Sequence, residues 1–118
     1  MATIGFLGIL VASLAVPQGN GEIQSAVLHG FTLGEDTVTI SVSSCGCTRE
    51  DDFSFMVERE SGGVRRVTVL RLEPDFCEAV PIEVQFEYSR ADAKLKGNRP
   101  VTVLNEFRTF DVFDPGCH

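Results

Sequence analysis

The strongest constraint on the fold of this chain is an alternation of apolar and polar side chains with a period of two residues. The clearest example is the stretch 36–43, in which Val38, Ile40 and Val42 alternate with threonine and serine side chains. Alternation of this kind is typical of a strand that buries one face in a core and exposes the other to solvent. The pattern predicts a half-buried antiparallel strand whose hydroxyl side chains, including Ser41, face outwards.

Other segments repeat the alternation, and turn-forming residues separate them. The remaining candidate strands are 23–33, 53–57, 64–72, 80–88 and a segment that begins at Val101. The faces expected to be buried in the first and fourth of these carry Ile23, Ser25, Val27, His29, Phe31, Leu33, Val80, Ile82, Val84, Phe86 and Tyr88. Residues 64–72 are apolar on both faces, as in a more central strand. This organisation predicts an all-β fold, an antiparallel β-sandwich of about six or seven strands that is immunoglobulin-like or related.

One short helical turn is expected after the strand 80–88. Ser89 and Asp92 have the S-x-x-D spacing of a capping box, and Gly97 is placed to end the turn. The phase of the last strand breaks at Leu104-Asn105, which predicts a bulge there. The chain has 118 residues, of which 43% are hydrophobic, so we expect a single sandwich domain over 22–118.

A hairpin over residues 53–72 predicts which cysteines meet. Its two segments are joined by Ser61-Gly62-Gly63, and three-residue loops that contain glycine are common hairpin connections. The register set by this turn places Glu58 opposite Arg66, an oppositely charged cross-strand pair. Further from the turn, the same register brings the two chain segments that carry cysteines to the same end of the hairpin.

In that register Cys47 lies opposite Cys77, which predicts a Cys47–Cys77 disulfide. Cys45–Cys77 is the alternative, because a one-residue bulge would exchange the two. In the first arrangement the remaining pair is Cys45–Cys117, which ties down the C-terminal tail. Such bridges form in oxidising compartments, and each typically stabilises a domain by about 2–4 kcal/mol.

The same four cysteines, with the terminal His118, offer a thiolate metal site as a competing interpretation. Paired cysteines in zinc sites are usually separated by two to four residues, and the spacing of Cys45-Gly46-Cys47 is tighter than that. The motif also differs from the C-x-x-C of redox enzymes. We therefore favour disulfides and expect no metal and no cofactor.

The N-terminus has the properties of a leader. Residues 1–21 carry no charged side chain and contain the apolar run 4–16, which is too short to span a bilayer, since that needs about 20 residues. A secretory leader has an apolar region of this length, and Ser13-Leu14-Ala15 supplies the small residues of a cleavage site. The sequence predicts a signal peptide over 1–15 and a secreted or periplasmic location. The alternative is a buried N-terminal strand.

The net charge of the chain limits the classes of partner that it is expected to bind. Ten lysines and arginines stand against 17 acidic residues, which gives a net charge of −7. The densest basic stretches are the pair Arg65-Arg66 and the spread set Arg90, Lys94, Lys96 and Arg99. Nucleic acids and anionic membrane surfaces are bound through clusters of lysine and arginine. We therefore expect no nucleic-acid partner and, after leader removal, no membrane partner.

The sequence favours a binding role over catalysis. It lacks the G-x-S-x-G, H-E-x-x-H, P-loop and dinucleotide-binding motifs, and His29 on an apolar face is interpreted as structural. The leading hypothesis is a non-enzymatic secreted or periplasmic interaction domain for an unidentified protein or small ligand. The alternatives are a thiolate metal-binding protein and, third, a small hydrolase or redox enzyme.

The loops 48–52 and 73–76 extend from the end of the hairpin that carries the predicted Cys47–Cys77 bridge. Rigid loops on a β scaffold are common recognition surfaces, because little conformational entropy remains to be lost on binding. The residues predicted to contact the partner are Asp51, Asp52, Asp75 and Phe76. Replacing the three aspartates is expected to leave folding intact. The alternative is that both loops are ordinary solvated loops.

A set of short motifs lies between residues 40 and 90. They are Cys45-Gly46-Cys47-Thr48, Asp52-Phe53, Arg71, Pro74-Asp75-Phe76-Cys77 and Tyr88-Ser89. In these motifs the chain resembles small exported bacterial disulfide-containing β-domains of uncharacterised function. The resemblance fits the interpretation of an exported, disulfide-bonded domain without extending it, and it implies no activity.

Overall fold

The structure is a computed structural model and describes residues 23–117. This part of the chain contains seven strands. The strands are β1 (Gln24–Ser25), β2 (Gly30–Leu33), β3 (Thr37–Ser44), β4 (Phe53–Arg59), β5 (Arg65–Arg71), β6 (Ile82–Ser89) and β7 (Val101–Val103). Within 23–117, one 3-10 turn at Glu50–Asp52 is the helical element, and no helix is long and apolar enough to cross a membrane. The predicted leader over 1–15 lies outside the described residues.

The strands form two sheets. In the first, β5 is the central strand and pairs with β1, β4 and β7, and in the second the order is β2-β3-β6. Every pairing is antiparallel except that of β5 with β7, which is parallel. The prediction of an all-β antiparallel sandwich with seven strands is confirmed, and so is the central place of 64–72. The parallel β7 was not expected.

The core lies between the inner faces of the two sheets. Two aromatic contacts join β4 to β6 across it: Phe53 with Phe86 at 5.9 Å between ring centroids, and Phe55 with Tyr88 at 5.1 Å. The buried apolar residues around them are Ala26, Leu28, Val38, Ile40, Val42, Val67, Val69, Ala93 and Leu95. Burial of this apolar surface is the main driving force for joining the sheets.

The β4–β5 hairpin has the predicted register. Phe55 lies opposite Val69 and Glu58 lies opposite Arg66. The ion pair of Arg66, however, is formed with Glu60, at 3.1 Å between Nε and Oε2. Both side chains of that pair are about 40% exposed, at 42% and 43%, so the ion pair adds little to stability.

The predicted inner face of residues 23–33 is wrong. Ala26 and Leu28 are buried, whereas Ile23 and Leu33 are exposed. The segment changes sheets, because β1 pairs with β5 and β2 pairs with β3, so no single alternation runs through it. At the start of 80–88, Val80 and Ile82 are exposed as well: Val80 precedes β6, and Ile82 is the first residue of this edge strand.

The outward face predicted for β3 is also wrong. Ser41 and Ser43 are buried, because β3 is the middle strand of its sheet and its outer face is covered. Ser41 donates a hydrogen bond to Glu83, and Ser43 bonds to Nε2 of His29 at 2.7 Å. The other ring nitrogen of His29 donates to the Arg108 carbonyl at 2.6 Å. His29 thus has the structural role that the sequence suggested.

The segment after β6 begins as predicted and then departs from a helix. The hydroxyl of Ser89 accepts a hydrogen bond from the backbone of Asp92, as a cap does. The following residues form hydrogen-bonded turns, and Lys94 already adopts a left-handed conformation with φ of 61°. Since left-handed backbone ends helical propagation, the helical turn stops before it reaches Gly97.

Asn105 occupies the place where the sequence predicted a bulge. Its Oδ1 accepts from the Val69 amide at 2.8 Å, and its Nδ2 donates to the carbonyls of Val69 and Ala26 at 2.8 and 2.7 Å. The side chain is buried. It therefore satisfies backbone groups of β5 and of the chain after β1, at the point where β7 has ended.

Replacing Asn105 with alanine is expected to lower the free energy of unfolding by about 2–3 kcal/mol, because buried backbone groups lose their partners. Chemical denaturation measures this. Asn98→Ala, at an exposed turn position, is the control and should change stability by less than about 0.5 kcal/mol. Equal effects of the two substitutions would contradict the assigned role of Asn105.

Candidate functional site

The two disulfides converge on one end of the sandwich. Cys47 bonds to Cys77 and Cys45 bonds to Cys117, with Cα–Cα distances of 5.8 and 6.2 Å. This is the pairing that the hairpin register predicts, and Cys45–Cys77 is excluded. With all four sulfurs in disulfides, no thiolate is present to bind a metal. The pairing therefore does not support the thiolate metal-binding alternative.

We call the loops 45–52 and 73–77, together with Cys117, the stapled end. Its centre is the carboxylate of Asp75, which is 2% exposed. Oδ2 accepts hydrogen bonds from the Cys45 amide at 2.8 Å, the Cys47 amide at 2.9 Å and the Thr48 hydroxyl at 2.6 Å. A buried carboxylate with several donors organises the loops around it.

Further hydrogen bonds tie Asp75 to its own loop and to the tail. Oδ1 accepts from the Cys77 amide two residues later, at 3.0 Å, which is the geometry of an Asx-turn. The backbone amide of Asp75 donates to the Cys117 carbonyl at 3.0 Å. Asp75 is therefore hydrogen-bonded to all four cysteines, which are both partners of both disulfides.

The environment keeps Asp75 ionised. Burial by itself would raise the pKa of this carboxyl. The hydrogen bonds from the Thr48 hydroxyl and from the amides of Cys47, Cys45 and Cys77 outweigh burial and hold the pKa below its ordinary value. Asp75 is accordingly a buried anion, and its lone pairs are occupied by structural donors.

Arg71, at the end of β5, is the nearby cation. It is buried, and its Nη2 donates to the Ser43 carbonyl at 3.0 Å while its Nη1 donates to the Thr48 hydroxyl at 3.2 Å. Thr48 thus accepts from Arg71 and donates to Asp75, which links the two charges. The guanidinium also lies 4.9 Å from the centroid of the Phe53 ring. Burial lowers the pKa of Arg71, and the charges of Asp75 and Asp52 oppose that shift.

Two of the four residues predicted to contact a partner are structural instead. Asp75 is buried, and Asp52 is 9% exposed, with its Oδ2 accepting from the Arg49 amide at 2.7 Å. Both carboxylates satisfy backbone donors, so replacing them is expected to disturb the fold, contrary to the sequence-based expectation. Asp51 and Phe76 do lie at the surface: the Asp51 side chain is 80% exposed and Phe76 is 61% exposed.

The surface of the stapled end carries acidic side chains and two open depressions. An open depression is lined by Gly46, Cys47, Thr48, Arg49, Asp51, Asp52, Glu73 and Pro74. A second one beside it is lined by Arg49, Glu50, Asp51, Phe53 and Tyr88. The hydroxyl of Tyr88 donates to the Glu50 carbonyl at 2.7 Å, and burial, followed by the negative charge of Glu50 and its acidic neighbours, raises the pKa of Tyr88. The Tyr88 hydroxyl is therefore uncharged, and the side chain lines this depression.

The opposite end of the β4–β5 hairpin carries a basic cluster that the sequence did not indicate. An open cavity there is lined by Arg59, Arg65, Lys96 and Arg99, with Glu60 as its acidic member. These residues are spread over 41 positions of the sequence, and the turn after β4 and the parallel pairing of β7 with β5 bring them together. The densest basic stretches of the sequence therefore did not reveal this cluster.

Comparisons of the chain with protein-family models, with curated proteins and with solved structures found no match.

Proposed function

We propose that this chain is a non-enzymatic interaction domain of an oxidising compartment, secreted or periplasmic, and that the stapled end is its recognition surface. The two disulfides support the oxidising compartment, because such bonds persist where thiols are not kept reduced. The partner is a protein or a small ligand that faces the exposed residues Asp51 and Phe76.

The observation that carries the proposal is the concentration of restraints at one end of the domain. The hydrophobic core lies between the sheets, yet both disulfides and the Asp75 hydrogen bonds converge on loops at the edge of that core. Loops held in this way lose little conformational entropy when they bind. The aromatic side chain of Phe76 and the carboxylate of Asp51, both exposed at this end, supply the apolar contact and the charge that anchor interfaces.

Removing the exposed side chains should weaken binding and spare the fold. Asp51→Asn combined with Phe76→Ala is expected to weaken capture of the native partner at least tenfold, since loss of an anchor residue typically costs 2 kcal/mol or more. The measurement is capture by the immobilised oxidised domain from the extracytoplasmic fraction of the native host. Unfolding curves of the variant should match those of the wild type.

Asp114→Asn with Phe113→Ala is the matched control, because Phe113 is 93% exposed and the Asp114 side chain 72% exposed in the C-terminal segment. A partner that is retained by this control and lost by the first variant supports the proposal. A partner that binds both variants equally, or that is lost from the control alone, excludes the stapled end as the recognition surface.

A further inference from the structure

The basic cavity at the turn end of the hairpin contains a buried arginine with an unused hydrogen-bonding edge. Arg65, the first residue of β5, is 6% exposed. Its Nη1 donates to the Lys96 carbonyl at 2.6 Å, whereas Nε and Nη2 are buried and have no partner among residues 23–117. Buried polar groups almost always have a partner, so two unpaired donors on one buried cation call for an acceptor.

The two unpaired nitrogens are the pair that binds oxyanions best. In a guanidinium, the hydrogens on Nε and Nη2 point the same way along one edge of the plane. That edge can donate two parallel hydrogen bonds to two oxygens of one carboxylate, sulfate or phosphate group. Because Lys96 holds the third nitrogen, the orientation of the Arg65 edge is fixed before any ligand arrives.

The neighbours of Arg65 add positive charge and no local counter-ion. Arg59 lies directly opposite Arg65 across the β4–β5 ladder, and like charges in that position are destabilising. Burial lowers the pKa of Arg65, and Arg59, Arg99 and Arg90 lower it further. Of the cavity's lining residues, four are cationic, and the single carboxylate, Glu60, is already paired with Arg66.

Two glycines with positive φ border the guanidinium groups of the cavity. Gly63 has a φ of 86°, and a Cβ at that position would collide with the Arg99 guanidinium. Gly97 has a φ of 96°, and a Cβ there would lie 3.9 Å from Nη2 of Arg65. The cavity that these residues line has a volume of about 430 Å³, which leaves room for an anion.

We propose that this cavity is a binding site for a dianionic tetrahedral oxyanion, a phosphate or sulfate group, held in a bidentate manner by Nε and Nη2 of Arg65, with Lys96, Arg59 and Arg99 around it. Four cations against one engaged carboxylate favour a doubly charged group over a carboxylate. The site lies at the end of the hairpin opposite the stapled end and does not depend on the proposed recognition surface.

The test is a titration of the oxidised protein with inorganic phosphate, sulfate and acetate in turn, at neutral pH and constant ionic strength. Two-dimensional ¹H–¹⁵N NMR follows the Nε–H signal of Arg65 and the amides of Gly63 and Gly97. We expect saturable shifts of these signals with phosphate or sulfate, and at least tenfold weaker binding of acetate. The comparison of phosphate with sulfate identifies which of the two groups the site prefers.

Three variants locate the binding. Arg65→Lys keeps the charge and removes the two-donor edge, so it should weaken binding at least tenfold, as expected for lost charge-assisted hydrogen bonds. Arg99→Gln, at an exposed position, should weaken it several-fold without affecting the fold. Lys94→Gln removes one positive charge from an exposed residue outside the cavity lining and should bind like the wild type.

Several results would overturn the proposal. One is the absence of any saturable shift at Nε–H of Arg65 with phosphate and with sulfate. Another is acetate binding as tightly as either. A third is an equal loss in Lys94→Gln and Arg99→Gln, which would indicate a diffuse charge effect rather than a site.

Discussion

Replacing Asp75 with alanine is expected to lower the free energy of unfolding by about 3–5 kcal/mol. The substitution leaves three backbone amides and the Thr48 hydroxyl without their acceptor. It also removes the nearby counter-charge of the buried Arg71. Denaturant unfolding of the oxidised protein measures the change.

Asp51→Ala is the matched control, because it removes the same side chain from a position where the wild-type side chain is 80% exposed. It should change stability by no more than about 0.5 kcal/mol. A loss below about 1 kcal/mol for Asp75→Ala would show that the stapled end does not depend on this carboxylate.

The same carboxylate should make stability depend on acid pH. The pKa of Asp75 is lower in the folded chain than its ordinary value of 3.8. Its stabilising contribution is therefore complete above that value and is lost as the pH falls through it towards the folded pKa. In Asp75→Asn, whose side chain does not titrate, the difference from the wild type should be smaller near pH 2 than at pH 7. A constant difference would contradict the assignment.

Removing either disulfide is also expected to cause a large loss of stability, and the loss should be greater for Cys45–Cys117 than for Cys47–Cys77. Cys45–Cys117 spans 72 residues and Cys47–Cys77 spans 30. On the chain-entropy account, removing the first should cost about 4.4 kcal/mol and removing the second about 3.6 kcal/mol, because the longer loop restricts the unfolded chain more. The double variants Cys45→Ala/Cys117→Ala and Cys47→Ala/Cys77→Ala, unfolded without reductant, measure the two contributions separately.

Loss of the Cys45–Cys117 bridge also releases the C-terminal tail, whose Cys117 carbonyl accepts a hydrogen bond from the Asp75 amide. This increases the expected difference in stability between the two double variants. Because natural domains are stable by only about 5–15 kcal/mol, reduction of both bridges should unfold the protein at or near room temperature. Equal stability of the two double variants and the wild type would mean that neither bridge restrains the domain.

The parts of the fold that could be predicted from the sequence are those set by local rules. The Ser61-Gly62-Gly63 turn defines the register of the β4–β5 hairpin, and that register carries over to Cys47 and Cys77. Strict alternation placed Val38, Ile40 and Val42 in the core. Each of these inferences needs only the turn type or the two-residue period of a strand.

The features that were missed depend on contacts between distant segments. The outer face of β3 is buried because His29 and Glu83 cover it, and alternation cannot report on what covers a face. Arg65 and Arg99 meet because β7 runs parallel to β5, whereas the sequence suggested antiparallel pairings. The basic cluster therefore had no local signature.

Asp75 did have a local signature. An aspartate two residues before a cysteine, as in Asp75-Phe76-Cys77, can form an Asx-turn that turns its carboxylate back onto the chain. Asp52, three residues after Arg49, likewise satisfies a backbone amide at the start of the 3-10 turn. The sequence shows Asp52 and Asp75 only as acidic residues in loops. Their hydrogen bonds to backbone amides are what distinguish them from the exposed Asp51.

The most direct test of this account is the number and connectivity of thiols in the protein from its native host. The protein is alkylated on extraction, without reductant, and its proteolytic peptides are analysed by mass spectrometry. We expect no alkylated cysteine and two linked peptide pairs, Cys45 with Cys117 and Cys47 with Cys77. Four alkylated cysteines would contradict the disulfide-stapled end and, with it, the oxidising compartment.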